Sequence, residues 1–184
     1  MTNPMRLSLQ VFDHAPVAGT GEALTRQIWQ GGATDLATRG MIAAPPRWLA
    51  LADYQDGSVT AGRGTPLLSW DLQQIVPGDR LSPSGAGGVI LVSMDVDPDR
   101  EDEFNAWYNT EHIPHFSKVP GVIVARRFRA LHGAPGYVAL YHVEDTNVYA
   151  TPAWMAANET PWILRMRRFQ RNRTYFMFRM PIAV

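Results

Sequence analysis

The sequence predicts an α+β protein made of two tandem βαββαβ halves, the first truncated, together forming one small barrel. Three observations predict it. Residues 89–184 alternate short apolar, β-branched or aromatic runs with helical stripes in the order β-α-β-β-α-β. Residues 1–78 repeat that order in degenerate form. A Pro-, Gly- and Ser-rich connector at 79–88 separates the two.

In the first half, Leu7–Phe12 reads as a strand and Gly21–Thr38 contains a helix on Leu24, Ile28 and Leu36. Gly40–Ala43 resembles Gly121–Val124, the start of a strand in the second half. Leu49–Tyr54 and Leu67–Ile75 supply the remaining strands. The stretch Gly57–Pro66 is too short and glycine-rich for a second helix, which is why this half is truncated.

In the second half, Val89–Val96 is a strand, and Asp97–Pro98–Asp99 opens a helix. Phe104, Trp107, Tyr108, Glu111 and His112 share one face of that helix, and Pro114 should end or kink it. Val122–Arg129 and Tyr137–Val143 are the next strands. Thr151–Arg168 is a helix interrupted at Pro161, and Arg173–Met180 is the last strand. A four-stranded sheet with helices on one face leaves its other face apolar. Two such sheets facing each other enclose a volume for side chains or one small ligand.

Composition narrows the function. The chain of 184 residues is 46% hydrophobic, its formal net charge is +0, and it has no cysteine. Nothing pulls it toward nucleic acid or anionic lipid, and disulfides, thiolate nucleophiles and Cys-ligated metals are excluded. The start, Met1 to Arg6, lacks a signal-peptide pattern, and no apolar run reaches the ~20 residues that span a bilayer. The expectation is a cytoplasmic protein with a small-molecule substrate and neither nucleic acid nor membrane as partner.

The run Glu103–His115 (EFNAWYNTEHIPH) followed by Val119–Pro120–Gly121 resembles the first-helix signature of the dimeric α/β-barrel (ferredoxin-like) superfamily, closest to EthD-like proteins. The resemblance covers roughly the second half. It implies a ferredoxin-like barrel, often with a small hydrophobic or aromatic substrate, and with the open sheet faces it favours a homodimer. The first half has Gly31–Asp35 where the second has histidines and glutamate, so one site per chain is expected.

His112, at the end of the helical stripe and near a barrel mouth, leads the candidates for proton transfer, with Glu111 or Tyr108 to fix its tautomer. The bland alternative is that Glu111 and His112 cap the helix end. His115 joins the catalytic candidates from the following loop. His112 and His115 with Glu111 also have metal-ligand chemistry, but Pro114 breaks their spacing and no third ligand is evident, so no metal is expected. Tyr108 is a proton donor or a packing residue, and Trp107 packs the helix onto the sheet or lines the ligand. Strand alternation sets Tyr137, Ala139 and Tyr141 on one face and Val138, Leu140 and His142 on the other, so Tyr141 or His142 meets the cavity. Of Arg126 and Arg127, one should point inward to hold a carboxylate or phenolate, here assigned to Arg127, and the other sits on the rim. Tyr175, Phe176 and Phe178 would wall the cavity.

These residues predict a cofactor-independent lyase, isomerase or cyclase acting on a small aromatic or apolar carbonyl compound by histidine acid–base chemistry. Two alternatives stand beside it: a haem- or oxygen-dependent monooxygenase-like barrel, and a non-catalytic barrel that binds a small ligand.

Overall fold

The computed structural model describes residues 4–33 and 46–182. Its frame is a closed eight-stranded barrel in which every neighbouring pair is antiparallel. The first half contributes β1 (Arg6–Phe12), β3 (Thr25–Ala33), β4 (Arg47–Tyr54) and β6 (Leu68–Val76), and the two-residue strands β2 (Val17–Ala18) and β5 (Gly62–Arg63) lie outside the barrel. The second half contributes β7 (Gly88–Val96), β8 (Val122–His132), β9 (Tyr137–Val143) and β10 (Gln170–Ile182). The order β6-β1-β4-β3 in one half matches β10-β7-β9-β8 in the other, the ferredoxin-like arrangement twice over. Ladders β3–β10 and β6–β8 join the halves, so the barrel closes within a single chain. A homodimer is not needed to cover the sheet faces.

Alternation along the strands divides the apolar residues into an inner and an outer set. Leu7, Leu9, Leu49, Leu51, Leu91 and Leu140 point inward, with Trp29, Trp70 and Phe128 between them. These side chains fill the interior, as expected for a barrel of this size. The connector then covers one end through a buried ion pair. Arg126 Nη1 donates to Asp53 Oδ1 at 2.7 Å, and both side chains are fully buried. Arg126 also donates to Ser82 Oγ and the Arg80 carbonyl, while Asp53 Oδ2 accepts from Ser82 N and Thr25 Oγ1.

The first half departs from expectation. The described part of the predicted helix at 21–38 is the end of a loop at 21–24 followed by β3, and 34–38 and the predicted strand at 40–43 lie outside the described residues. Leu24 and Ile28 have helical spacing, but residues 25–33 pair with β4 on one side and β10 on the other, and two ladders outweigh a weak local preference. Among the described residues this half has no helix. Loops 13–24 and 55–67, joined by the β2–β5 pair, cover its outer face instead. They bury Phe12, Ile28, Ala50, Ala52 and Tyr54 against Val59 and Ala61. Arg26 pins both loops by donating to the carbonyls of Thr20, Gly21 and Thr60.

The second half keeps its helices. A 3-10 turn at Pro98–Arg100 leads into α1 (Glu101–Trp107), a widened π-type stretch at Tyr108–His112, and α2 (Ile113–Phe116). Pro114 therefore does not end the helix at Ile113. It sits in the first turn of α2, where a missing N–H is tolerated, and the widened stretch before it absorbs the mismatch. The later helix is split into α3 (Pro152–Ala157) and α4 (Pro161–Met166), with Thr151 and Thr160 as N-caps accepting from Trp154 N and Ile163 N.

Candidate functional site

Between these helices and the outer face of the second-half sheet lies a cavity of about 20 Å³, room for about one water. It is thus outside the barrel, not in its mouth. Tyr108 and His112 enter it from the widened stretch, four residues apart and on the sheet-facing side. Tyr141 and Tyr175 rise from β9 and β10, on the strand face opposite the packed interior. Asn158, Arg167, Gln170 and Arg173 complete its polar lining.

His112 is held from every side. Its Nε2 lies 3.0 Å from the Tyr141 hydroxyl. Its ring centroid sits 4.5 Å from Tyr108, 4.6 Å from Phe116 and 4.7 Å from Trp107. Its Nδ1 is buried with no hydrogen-bond partner, as are the indole nitrogens of Trp107 and Trp154, which line the same cavity. Three such atoms around one small space can be satisfied together by a single bound molecule, a water or the polar group of a ligand.

Electrostatics keep the imidazole neutral. Burial, then the charges of Arg173, Arg167 and Arg127, hold His112 well below its usual range. Burial pushes the Tyr141 and Tyr175 phenols well above theirs. Tyr108 is raised by burial, and the Arg127 charge opposes that shift. The Tyr141 hydroxyl thus meets His112 on one side, and Tyr108 lines the same cavity.

Of the residues singled out from sequence, His112, Tyr108, Trp107, Tyr141 and Tyr175 come together at this cavity. The others do not. Glu111 accepts a 2.6 Å hydrogen bond from Thr160 Oγ1 and ties the widened stretch to the cap of α4. His115 is exposed, because α2 carries it to the solvent side. Arg127 lies behind Tyr108, with its guanidinium 4.5 Å from that ring and its Nη atoms bonded to Asn105 and Asn109. Burial lowers its pKa to about 10. Arg126, expected with Arg127 to share an inward and a rim place, is instead buried in the ion pair, so neither is a rim residue. His142 faces the barrel interior, where Nε2 meets Gln27 Oε1 at 3.0 Å. Phe176 faces the same way and stacks on Phe178. Trp154, Phe116, Asn158, Arg167 and Arg173 line the cavity without having been singled out. The periodic stripe of the second helix carried a signal for Trp154, but nothing marked Arg173.

Among the described residues no group of three His, Asp or Glu side chains could hold a metal ion. A haem macrocycle would need a far wider opening of this cavity, and His112 Nε2 is already engaged by Tyr141. No helix among the described residues is long and apolar enough to cross a membrane.

No family model and no curated protein matches the sequence. Solved structures do match in shape. A "putative monooxygenase" from Fusobacterium nucleatum superposes with a TM-score of 0.63 at 7% identity, over 98% of this chain and 95% of the other. The chain has the dimeric α/β-barrel fold. An anthrone oxidase-like protein shares it with a TM-score of 0.52 at 12% identity, over 99% and 93% of the two chains. So does a major regulator of staphylococcal pathogenesis, with a TM-score of 0.57 at 11% identity, over 97% and 99%. At such identities the likeness establishes the barrel alone, and the names differ enough that function has to be argued from the site.

Proposed function

We propose that the cavity is the active site of a cofactor-independent enzyme that removes a proton from a small aromatic carbonyl compound. One observation carries this reading: a buried, neutral His112 with one ring nitrogen held by Tyr141 and the other unpartnered beside the cavity. Where the Tyr141 oxygen accepts Nε2–H from His112, the Nδ1 lone pair becomes the base. Tyr108 and the two indole N–H groups are the donors available to a developing oxyanion. The aromatic walls favour a flat ligand, and the small volume requires the mouth side chains to move as it enters. Kinship with EthD-like proteins rests on the Trp107–Tyr108–Glu111–His112–Pro114 pattern. A lyase, isomerase or cyclase outcome is the proposed continuation of the proton transfer.

The test is solvent deuterium exchange into the acidic methylene of anthrone or 2-tetralone, followed by NMR. The wild type should accelerate exchange, and His112→Phe should lose about 10²–10⁴-fold of that acceleration. An unchanged rate in a folded variant would remove His112 from the chemistry.

The names of two structural neighbours, a putative monooxygenase and an anthrone oxidase-like protein, favour a second reading. Here the deprotonated substrate hands electrons to oxygen, as in anthrone plus O₂ giving anthraquinone plus water. Oxygen uptake that tracks anthrone loss would select it over isomerisation.

A further inference from the structure

We infer that Arg173 makes this cavity selective for aromatic substrates that carry a carboxylate group. The inference rests on the cavity being the substrate site and names the substrate class. Two arginines, Arg167 and Arg173, line the cavity, and no aspartate or glutamate does. That is a local excess of positive charge in a chain whose formal net charge is +0.

The two arginines differ. Arg167 is committed, donating from Nη2 to the Asn158 carbonyl and side-chain oxygens. Arg173 is exposed and has no hydrogen bond or carboxylate partner among the described residues. Its neighbours along the same surface are paired: Arg171 with Asp97 at 2.7 Å and Arg165 with Glu103 at 2.7 Å. Yet the charge of Arg173 acts on His112, Tyr108, Tyr141 and Tyr175, all of which line the cavity.

The backbone is bent to put it there. The β10–β7 ladder shifts register between Arg171 and Thr174, leaving an extra residue on β10. Within that bulge Asn172 has φ 50, the one positive φ other than at glycine among the described residues. Asn172 Nδ2 donates to Asp95 Oδ2 at 2.8 Å, and Asp95 Oδ1 accepts from Gly136 N at 2.7 Å, so the strained turn is anchored. A strained, anchored bulge that delivers an unpaired guanidinium to a cavity fits a ligand contact. One free guanidinium presents a planar fork that matches a single carboxylate.

Calorimetric titration of 2-naphthoate and the neutral 2-naphthamide into wild type, Arg173→Gln, Arg173→Lys and His112→Phe tests this. Wild type should bind the naphthoate about tenfold more tightly, a preference that added salt reduces. Arg173→Gln should erase the preference by weakening naphthoate binding far more than naphthamide binding, and Arg173→Lys should restore part of it. An equal preference in wild type and Arg173→Gln overturns the inference. If naphthamide binding is then still weakened by His112→Phe, the cavity remains the substrate site and only the carboxylate class falls. If neither compound binds the wild type, both readings fall.

Discussion

His112 and His142 show how one residue type takes two roles by facing two ways. Both are buried, and burial holds both imidazoles well below their usual range. His112 meets the cavity between the helices and the sheet. His142 is locked against Gln27 and Trp29 in the barrel interior, beside the Arg126 charge. Each has a stability consequence. In the unfolded chain a histidine takes up its proton near pH 6.5, whereas these folded histidines do not until lower pH. Below about 6.5 the unfolded state therefore binds more protons, so stability is full above that value and falls on acidification toward the folded pKa values. Replacing His142 with Gln, which keeps a donor to Gln27, should lessen the slope by up to about 1.4 kcal/mol per pH unit. Urea unfolding between pH 5 and 7 measures it, and an unchanged slope would mean that His142 titrates alike in both states. Sequence periodicity singled out His112, Tyr108 and Trp107, since they lie on one helical stripe. Alternation separated Tyr141 from His142, but which face meets the helices is settled only when the strands close on their partners.

Elements were legible where their pattern was local. The four strands and two helical regions of the second half follow from apolar runs punctuated by Gly and Pro. The strand at 25–33 was not, because Gln27 interrupts its inward apolar series by bonding His142 and Trp29. Nor were the irregularities that shape the site. The widened stretch at Tyr108–His112 and the bulge at Asn172 answer to tertiary fit rather than to residue preference. The bulge can be tested as an element. Asn172→Gly should cost no more than about 1 kcal/mol, since glycine tolerates positive φ and only the exposed bond to Asp95 is lost, whereas the β-branched Asn172→Val should cost about 1–3 kcal/mol more. Equal denaturation midpoints for the two variants would show that the backbone relaxes at no cost.

On the scale of the molecule, the halves are fastened by two ladders and by the Asp53–Arg126 pair under the connector. Asp53→Ala should cost about 3–5 kcal/mol, because it strands the Arg126 charge in the interior. A loss below 1 kcal/mol in chemical denaturation would show that water reaches that end of the barrel. A barrel assembled from two like chains carries two equivalent sites, whose occupancies can influence each other through the shared sheet. Among the described residues the first half has no helix, and the cavity around His112 lies on the second half. Saturation should then follow a simple hyperbola with a Hill coefficient of about one. Any sigmoidal response would have to come from association with another molecule, not from the barrel itself.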